Sequence, residues 1–373
     1  MNSTFDPFQC LELVKRKHIN IIVLHYNLTG RMTNRSSNGM SILNILFIFI
    51  SIFIILENLF VLTALLRYLH LKRWVYCCLA NIAFSDLLAG ISYLLNICLS
   101  GANTFLLSPE LWFVREGLVF TTLAASIFSL LVTAVERYCT MVVITSENHS
   151  VKSMRVQGLI ILCWILAAVV GFLPLLGWNC MCHIESCSNV LPLYSKKYLL
   201  FSLILLAVTL VGITGFYCTI YYLVCTSAKR VVVTNQSKRA FHLLHTVIII
   251  LGTFIFCWSP LFVVLLMDTA CSPTSCPIPL GLEWVLALAL LNSALNPLIY
   301  SFRSSEVRKA VLAVLWCVCS KAGVPLPASC RLGTDITSGS SNESSIRKRS
   351  SVRLSRALSV RSPLTSISSV PSQ

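Results

Sequence analysis

Arg115 and Glu116 stand side by side in LWFVREGLVFTTLAA, residues 111–125, a stretch otherwise built for lipid. Charges in hydrocarbon are costly, and such residues mark function before they mark structure. Neighbours on a helix point about 100° apart, so the spacing predicts that the two face different partners rather than neutralise each other. A guanidinium offers a planar fork of donors suited to phosphate, and a carboxylate accepts from an ammonium group. Glu136 and Arg137 form a second charged pair farther along the same segment. Arg137 lies 22 residues beyond Arg115, about 33 Å of helix. One pair therefore stands at each end of a single span.

The other ionisable residues inside apolar runs are Glu57, Asp86, Asp268 and Glu283. Asp86 is mid-run and has no route to water; Asp268 is near an end and is expected to snorkel. Pro260 in FIFCWSPLFVV and Pro297 in NSALNPLIYSF remove helix hydrogen bonds and permit kinks. Beside Asn292, Ser293 and Asn296 they read as hinges between two packings. The seven histidines offer no spaced ligand set inside these runs, and no G-x-S-x-G elbow occurs. An enzyme is not expected. A transporter or channel would want internal repeats or a continuous polar path, and the sequence offers neither.

These residues are carried by seven apolar runs, at about 41–67, 75–100, 111–142, 156–176, 197–226, 241–270 and 282–302. Each has the roughly 20 residues needed to cross a bilayer as helix, and none shows the strict alternation of a barrel strand. Only 12% of the 373 residues are charged and 56% are hydrophobic, against roughly a quarter charged in soluble domains. The fold class is an all-α membrane protein, a seven-transmembrane helix bundle over 41–302. A cap over 1–40 precedes it; a short amphipathic helix over 303–316 and a disordered tail over 317–373 follow.

Basic residues in short loops set the orientation. Arg67, Lys72, Arg73, Lys152, Arg155, Lys229, Arg230, Lys238 and Arg239 all alternate to one face, predicting a cytoplasmic C-terminus and an extracellular N-terminus at the plasma membrane. Glycosylation sequons at Asn2, Asn27 and Asn34 agree. No cleavable signal peptide is evident, so the first span is expected to act as its own anchor. The net charge of +15 falls largely on the cytoplasmic side, which suits anionic membrane lipid rather than nucleic acid. Of seventeen cysteines, Cys180 and Cys187, and Cys271 and Cys276, lie in two outward loops where short disulfide rings can form, with Cys182 a rival partner. Cys317 and Cys319, just past the amphipathic stretch, are palmitoylation candidates. The Ser- and Arg-rich tail, with SSIRKRSSVRLSRALSVRS, reads as kinase substrate.

Asn58, Asp86, ERY at 136–138, Trp164, CWSP at 257–260 and NPLIY at 296–300 occur in order across all seven runs. In this the chain resembles the rhodopsin-like G-protein-coupled receptors. The resemblance implies a sodium pocket, and so an allosteric sodium ion as the one metal, at Asp86, Ser126, Asn292, Ser293 and Asn296. It implies a G-protein switch at Glu136, Arg137, Tyr138, Pro297 and Tyr300, with Trp258 a rotamer switch under the ligand. No other cofactor is implied. Trp112 stands where that family usually has a cysteine bonded to the second outer loop, so the loop must close on itself, as Cys180–Cys187 would. The fifth span also lacks its usual proline.

Both departures resemble the lysophospholipid receptors. WFVREGLVF, ASIFSLLVTAVERY, GWNCMC, CSNVLPLYSK and HYNLTGR are similar to the sphingosine-1-phosphate receptors among them. That resemblance implies a ligand with a phosphate, an ammonium and an apolar chain. Arg115 with Tyr26 and Arg31 would hold the phosphate; Glu116 with Asn96 and Glu283 would hold the ammonium. Phe120, Leu123, Trp258, Phe262 and Leu265 would line the tail slot. Some relatives carry an arginine two residues before Glu283, where this chain has Gly281; phosphate compensation then rests more on Arg115 and Arg31. The implied partners are sphingosine-1-phosphate, heterotrimeric G proteins of the inhibitory and twelve/thirteen classes, and arrestin and receptor kinases acting on the tail. Glutamine at the second position would suit a hydroxyl, as in lysophosphatidic acid receptors, which is the alternative reading.

Overall fold

The computed structural model describes residues 20–28, 42–69, 71, 74–142, 149–183, 186–230, 235–270 and 282–321. Its helices are α1 (Ile21–Leu28), α2 (Ile42–Arg67), α3 (Trp74–Cys98), α4 (Pro109–Val142), α5 (His149–Phe172), α6 (Lys196–Arg230), α7 (Asn235–Ala270), α8 (Leu282–Arg303) and α9 (Ser305–Lys321). A 3-10 turn, Gly101–Leu106, joins α3 to α4. Helices α2 to α7 are long and apolar enough to cross a membrane. In α8 the apolar stretch among the described residues is Trp284–Ile299, and it carries Asn292, Ser293 and Asn296. The chain divides after Val311; of the second unit, residues 312–321 are described, as the later turns of α9.

Local sequence sets the helix starts. Ser108, Pro109 and Glu110 open α4, and the Ser108 hydroxyl accepts from the Leu111 N–H at 3.3 Å, an N-cap followed by proline at the first helical position. Asn20 caps α1 through the N–H groups of Ile22 and Val23 at 3.1 and 3.2 Å. Its amide also donates to Phe105 O at 2.6 Å, fastening α1 to the 3-10 turn. That turn begins at Gly101, whose φ of 69° favours glycine.

Small residues and buried polar groups decide the packing. A Cβ on Gly171 of α5 would lie 2.7 Å from Gly117 O and 2.7 Å from Thr121 N of α4, so these two helices meet backbone to backbone. Asn81 of α3 bridges Ser129 Oγ of α4 at 2.7 Å and Trp164 Nε1 of α5 at 3.0 Å. Asn58 of α2 donates to Ser293 O of α8 at 3.2 Å. On the opposite face of α2, Ile45, Phe49, Ile52, Phe53, Leu56 and Leu59 are exposed, the surface that lipid covers.

Two short elements, α1 and the 3-10 turn, have no counterpart in the sequence expectation. Helix α9 also runs to Lys321 rather than 316, so Cys317 and Cys319 sit in its last turns, half-buried, and not past its end. The apolar spacing of VLAVLW continues through those cysteines.

Candidate ligand site

A cavity of about 380 Å³ opens among α3, α4, α6, α7 and α8. Tyr26, Asn96, Ser100, Thr104, Trp112, Arg115 and Glu116 line its polar end. Phe120, Leu123, Leu203, Leu206, Trp258, Leu261 and Leu265 line its apolar depth, with Leu286 and Leu290 of α8. Glu116, Phe120 and Leu123 share one face of α4 by their i, i+4, i+7 spacing. Phe262 is not among the lining residues; Leu261 takes that place on α7, about 100° round the helix from it.

At the polar end the first expectation is corrected. Arg115 and Glu116 do pair: Nε and Nη2 of Arg115 donate to Glu116 Oε1 at 3.0 and 2.6 Å. The arginine stem is long enough to fold round the helix and close the 100° gap. Asn96 Nδ2 donates to the same Oε1 at 3.0 Å. Three donors thus converge on one carboxylate oxygen, while Glu116 Oε2 takes no hydrogen bond among the described residues. Arg115 is 6% exposed. Its Nη1 donates to Leu99 O at 2.8 Å and Thr104 Oγ1 at 3.1 Å, and its guanidinium carbon lies 5.7 Å from the Trp112 ring centroid. Tyr26 of α1 closes this end, buried and edge-on to Phe105 at 5.5 Å.

Thr104, Ser100 and Tyr93 were not singled out by the sequence, although all three line the cavity. The 3-10 turn that brings Thr104 under Arg115 is too short for periodicity to reveal. The positive φ at Gly101 is its one local trace.

The loop joining α5 to α6 covers the cavity. Cys180 and Cys187 are bonded within it, and Cys182 is also in a disulfide. His25 of α1 packs beneath, its Nε2 3.1 Å from Met181 O. Burial lowers the His25 pKa from its ordinary value, with the Met181 hydrogen bond opposing. Asp268 does not snorkel. It is 7% exposed and accepts from Ser188 Oγ at 2.5 Å and from the Asn189 N–H at 3.0 Å, because the loop reaches it before water does.

Deeper in the bundle, Asp86 Oδ1 accepts from Ser126 Oγ and Ser293 Oγ, both at 3.0 Å, and Oδ2 accepts from Asn296 Nδ2 at 2.8 Å. Asn292 does not bond to Asp86. Asn292 Oδ1 and Asn296 Oδ1 are buried acceptors without a partner. A carboxylate, two hydroxyls and two orphaned amide oxygens fit a hard cation such as sodium. Among the described residues no cluster of three or more His, Cys, Asp or Glu side chains could hold a metal. Above Asp86, Trp258 stacks on Phe254 at 5.6 Å, its Nε1 buried without a partner.

At the far end of α4, Arg137 Nε lies 3.8 Å from Glu136 Oε2. Lys152 Nζ of α5 approaches Glu136 Oε1 at 3.5 Å, and Thr140 Oγ1 donates to that oxygen at 2.7 Å. Lys152 entered the sequence reading as an orientation signal alone; here it shares the carboxylate with Arg137. Tyr138 meets Phe216 of α6 at 5.3 Å, and Pro297 lies inside α8. Asn27 is exposed at the end of α1. Arg31, Asn2, Asn34, Cys271 and Cys276 lie outside the described residues, as do the side chains of Glu283 and Tyr300.

Residues 57–300 match the family model for the seven-transmembrane receptors of the rhodopsin family. The whole chain is 48% identical to human sphingosine 1-phosphate receptor 4, covering all of both chains. It is 47% identical to the mouse protein of the same name, over 98% of this chain and 97% of that one. Against sphingosine 1-phosphate receptor 3 of Takifugu rubripes identity is 46%, over 80% of this chain and 79% of the relative. A polar-capped apolar cavity, two proline-containing helices and full-length similarity converge: the chain belongs to the sphingosine 1-phosphate receptors of the rhodopsin family.

Proposed function

We propose that the chain is a plasma-membrane receptor that binds sphingosine-1-phosphate in this cavity and passes the signal to heterotrimeric G proteins at the Arg137 end. The observation that carries the reading is the pairing at the polar end. Arg115 and Glu116 satisfy each other, and three donors converge on Glu116 Oε1. A zwitterionic head group replaces that internal pair by two external ones. Its phosphate takes the Nε and Nη2 donors of Arg115 in forked geometry beside Thr104 and Tyr26, which line the same end; the family resemblance adds Arg31. Its ammonium takes Glu116, whose Oε2 is already open, together with Asn96 and Glu283. The apolar chain fills the slot ending at Trp258. A neutral lipid leaves the internal pair intact and gains no charged contact at this end.

The rest of the reading follows from that site. The N-terminus and sequons face outward; Cys317 and Cys319 carry palmitate; the Ser-rich tail meets receptor kinases and arrestin. Asp86, Ser126, Ser293, Asn292 and Asn296 would hold a sodium ion, which when bound supplies a compact positive charge to the core. Ligand shifts a two-state population by binding one state more tightly. In the favoured state α7 swings about Pro260 and opens a cleft beside Arg137, where Glu136 releases Arg137 and keeps Lys152.

The test is nucleotide exchange on a purified heterotrimeric G protein by the receptor reconstituted in vesicles. Sphingosine-1-phosphate is expected to accelerate exchange while the lipid is recovered unchanged and on its original side. Lipid turnover or transport without exchange would overturn the reading.

A further inference from the structure

Asp268 is a carboxylate in a place its helix does not favour. It sits in the last turn of α7, at the negative end of the helix dipole, where an anion is destabilising. It is buried, and among the described residues it meets no cation. Its two hydrogen bonds both come from the loop between α5 and α6: Ser188 Oγ at 2.5 Å and the Asn189 N–H at 3.0 Å. Burial of a carboxylate without an ion pair is costly, so its role must be sought in what those donors hold.

Ser188 is itself fully buried. While its hydroxyl proton goes to Asp268, the oxygen accepts from Val190 N–H at 3.1 Å and Leu191 N–H at 2.8 Å. Its own N–H donates to Tyr194 O at 2.9 Å. One hydroxyl thus organises the turn that sets Val190, Leu191 and Pro192 into the cavity lining. The residue before it, Cys187, closes the disulfide ring to Cys180, which pins the turn from its other side. On α7, Leu265 and Leu261 line the same cavity one and two turns below Asp268. Helix α7 therefore meets the cavity twice, by its own face and through the loop that Asp268 grips. The hinge at Pro260 lies just below both contacts.

We infer that Asp268 is a positioning residue that couples cavity occupancy to α7, by clamping the end of that helix to the turn covering the ligand. It touches no ligand atom. Ligand pressing on Val190 and Leu191 is transmitted through Ser188 to the segment of α7 above Pro260. That segment is held, so the segment below the hinge does the moving. Losing the clamp lets the upper segment follow the ligand passively. The head group, anchored on α4 at Arg115 and Glu116, stays bound. This inference rests on the receptor reading above.

The test compares wild type with Asp268→Asn, Ser188→Ala and the double variant in the same membranes. Equilibrium binding of labelled sphingosine-1-phosphate is measured beside lipid-driven nucleotide exchange. Coupling between sites is typically about 5- to 150-fold. Asp268→Asn is expected to raise the half-maximal lipid concentration for exchange about tenfold while Kd stays within about threefold. Ser188→Ala, which also frees the Val190 and Leu191 N–H groups of the cavity turn, is expected to raise both. Because Asp268 acts through Ser188, the double variant is expected to match Ser188→Ala. Should Asp268→Asn fail to reach the surface, Asp268→Ser, which keeps a small polar side chain, gives the same comparison. Three results would overturn the clamp: unchanged exchange in the Asp268 variant, parallel shifts in its Kd and exchange, or multiplying effects in the double variant. Absence of lipid-driven exchange in wild type would instead sink the receptor reading itself.

Discussion

At the scale of single residues, the site turns on two charged side chains that satisfy each other. Arg115 makes two hydrogen bonds to Glu116 and one each to Leu99 O and Thr104 Oγ1. When phosphate takes Nε and Nη2 from Glu116, the Leu99 O and Thr104 Oγ1 contacts on Nη1 stay and keep the forked face oriented. Removing one partner of a buried charged contact typically costs about 2–5 kcal/mol in affinity. Arg115→Ala is therefore expected to weaken labelled-lipid binding roughly 30-fold or more at unchanged surface level, by equilibrium binding against flow cytometry. Loss of surface receptor instead would make Arg115 a structural residue. The two residue types were legible in the sequence because charge inside an apolar run has few explanations. Their mutual pairing was not, since angular spacing says where a Cβ points and not where a flexible arginine stem ends. Asp268 failed for a related reason: nearness to a helix end predicts water, unless a loop arrives first.

At the scale of elements, long apolar runs declared α2 to α8 from sequence, with ends displaced where polar residues continue a helix. Helix α5 begins at His149, well before its apolar core, through Lys152 and Arg155. Helix α1 and the 3-10 turn, 8 and 6 residues long, were invisible. Elements that short draw their stability from tertiary contacts, here Asn20 to Phe105 and His25 to Met181. Yet they carry Tyr26 and Thr104 to the site, so part of the site was illegible for the same reason. The close crossing of α4 and α5 matters equally, because α4 carries both charged pairs. In Gly171→Ala the new Cβ meets backbone atoms that cannot rotate away, Gly117 O and Thr121 N, each at 2.7 Å. Overpacking of this kind costs about 1–3 kcal/mol, expected as a lower Tm of the detergent-purified receptor. Gly158→Ala, on the same helix with nothing within 4 Å, is expected to hold or raise Tm, because alanine favours helix. Equal effects of the two would contradict the backbone contact.

At the scale of the whole molecule, a lipid bilayer admits few architectures, and seven apolar spans with landmark residues in order specify one of them. Sequence therefore reached the fold more completely than it reached the site. A helix α4 about 50 Å long, 34 residues by count, joins the Arg115 end to the Arg137 end, with Asp86 and Trp258 between them. Signal need not travel along a wire. It suffices that ligand binds one packing of α4, α7 and α8 more tightly than the other, by a factor set by the contacts that differ. The contact that differs most by chemistry is Glu116. A carboxylate there favours an ammonium-bearing lipid; an amide of the same shape favours a hydroxyl. The direct measurement is nucleotide exchange by Glu116→Gln against both sphingosine-1-phosphate and lysophosphatidic acid. The account predicts a reduced response to the first lipid and a new response to the second. A full response to sphingosine-1-phosphate, with none gained to lysophosphatidic acid, would contradict it.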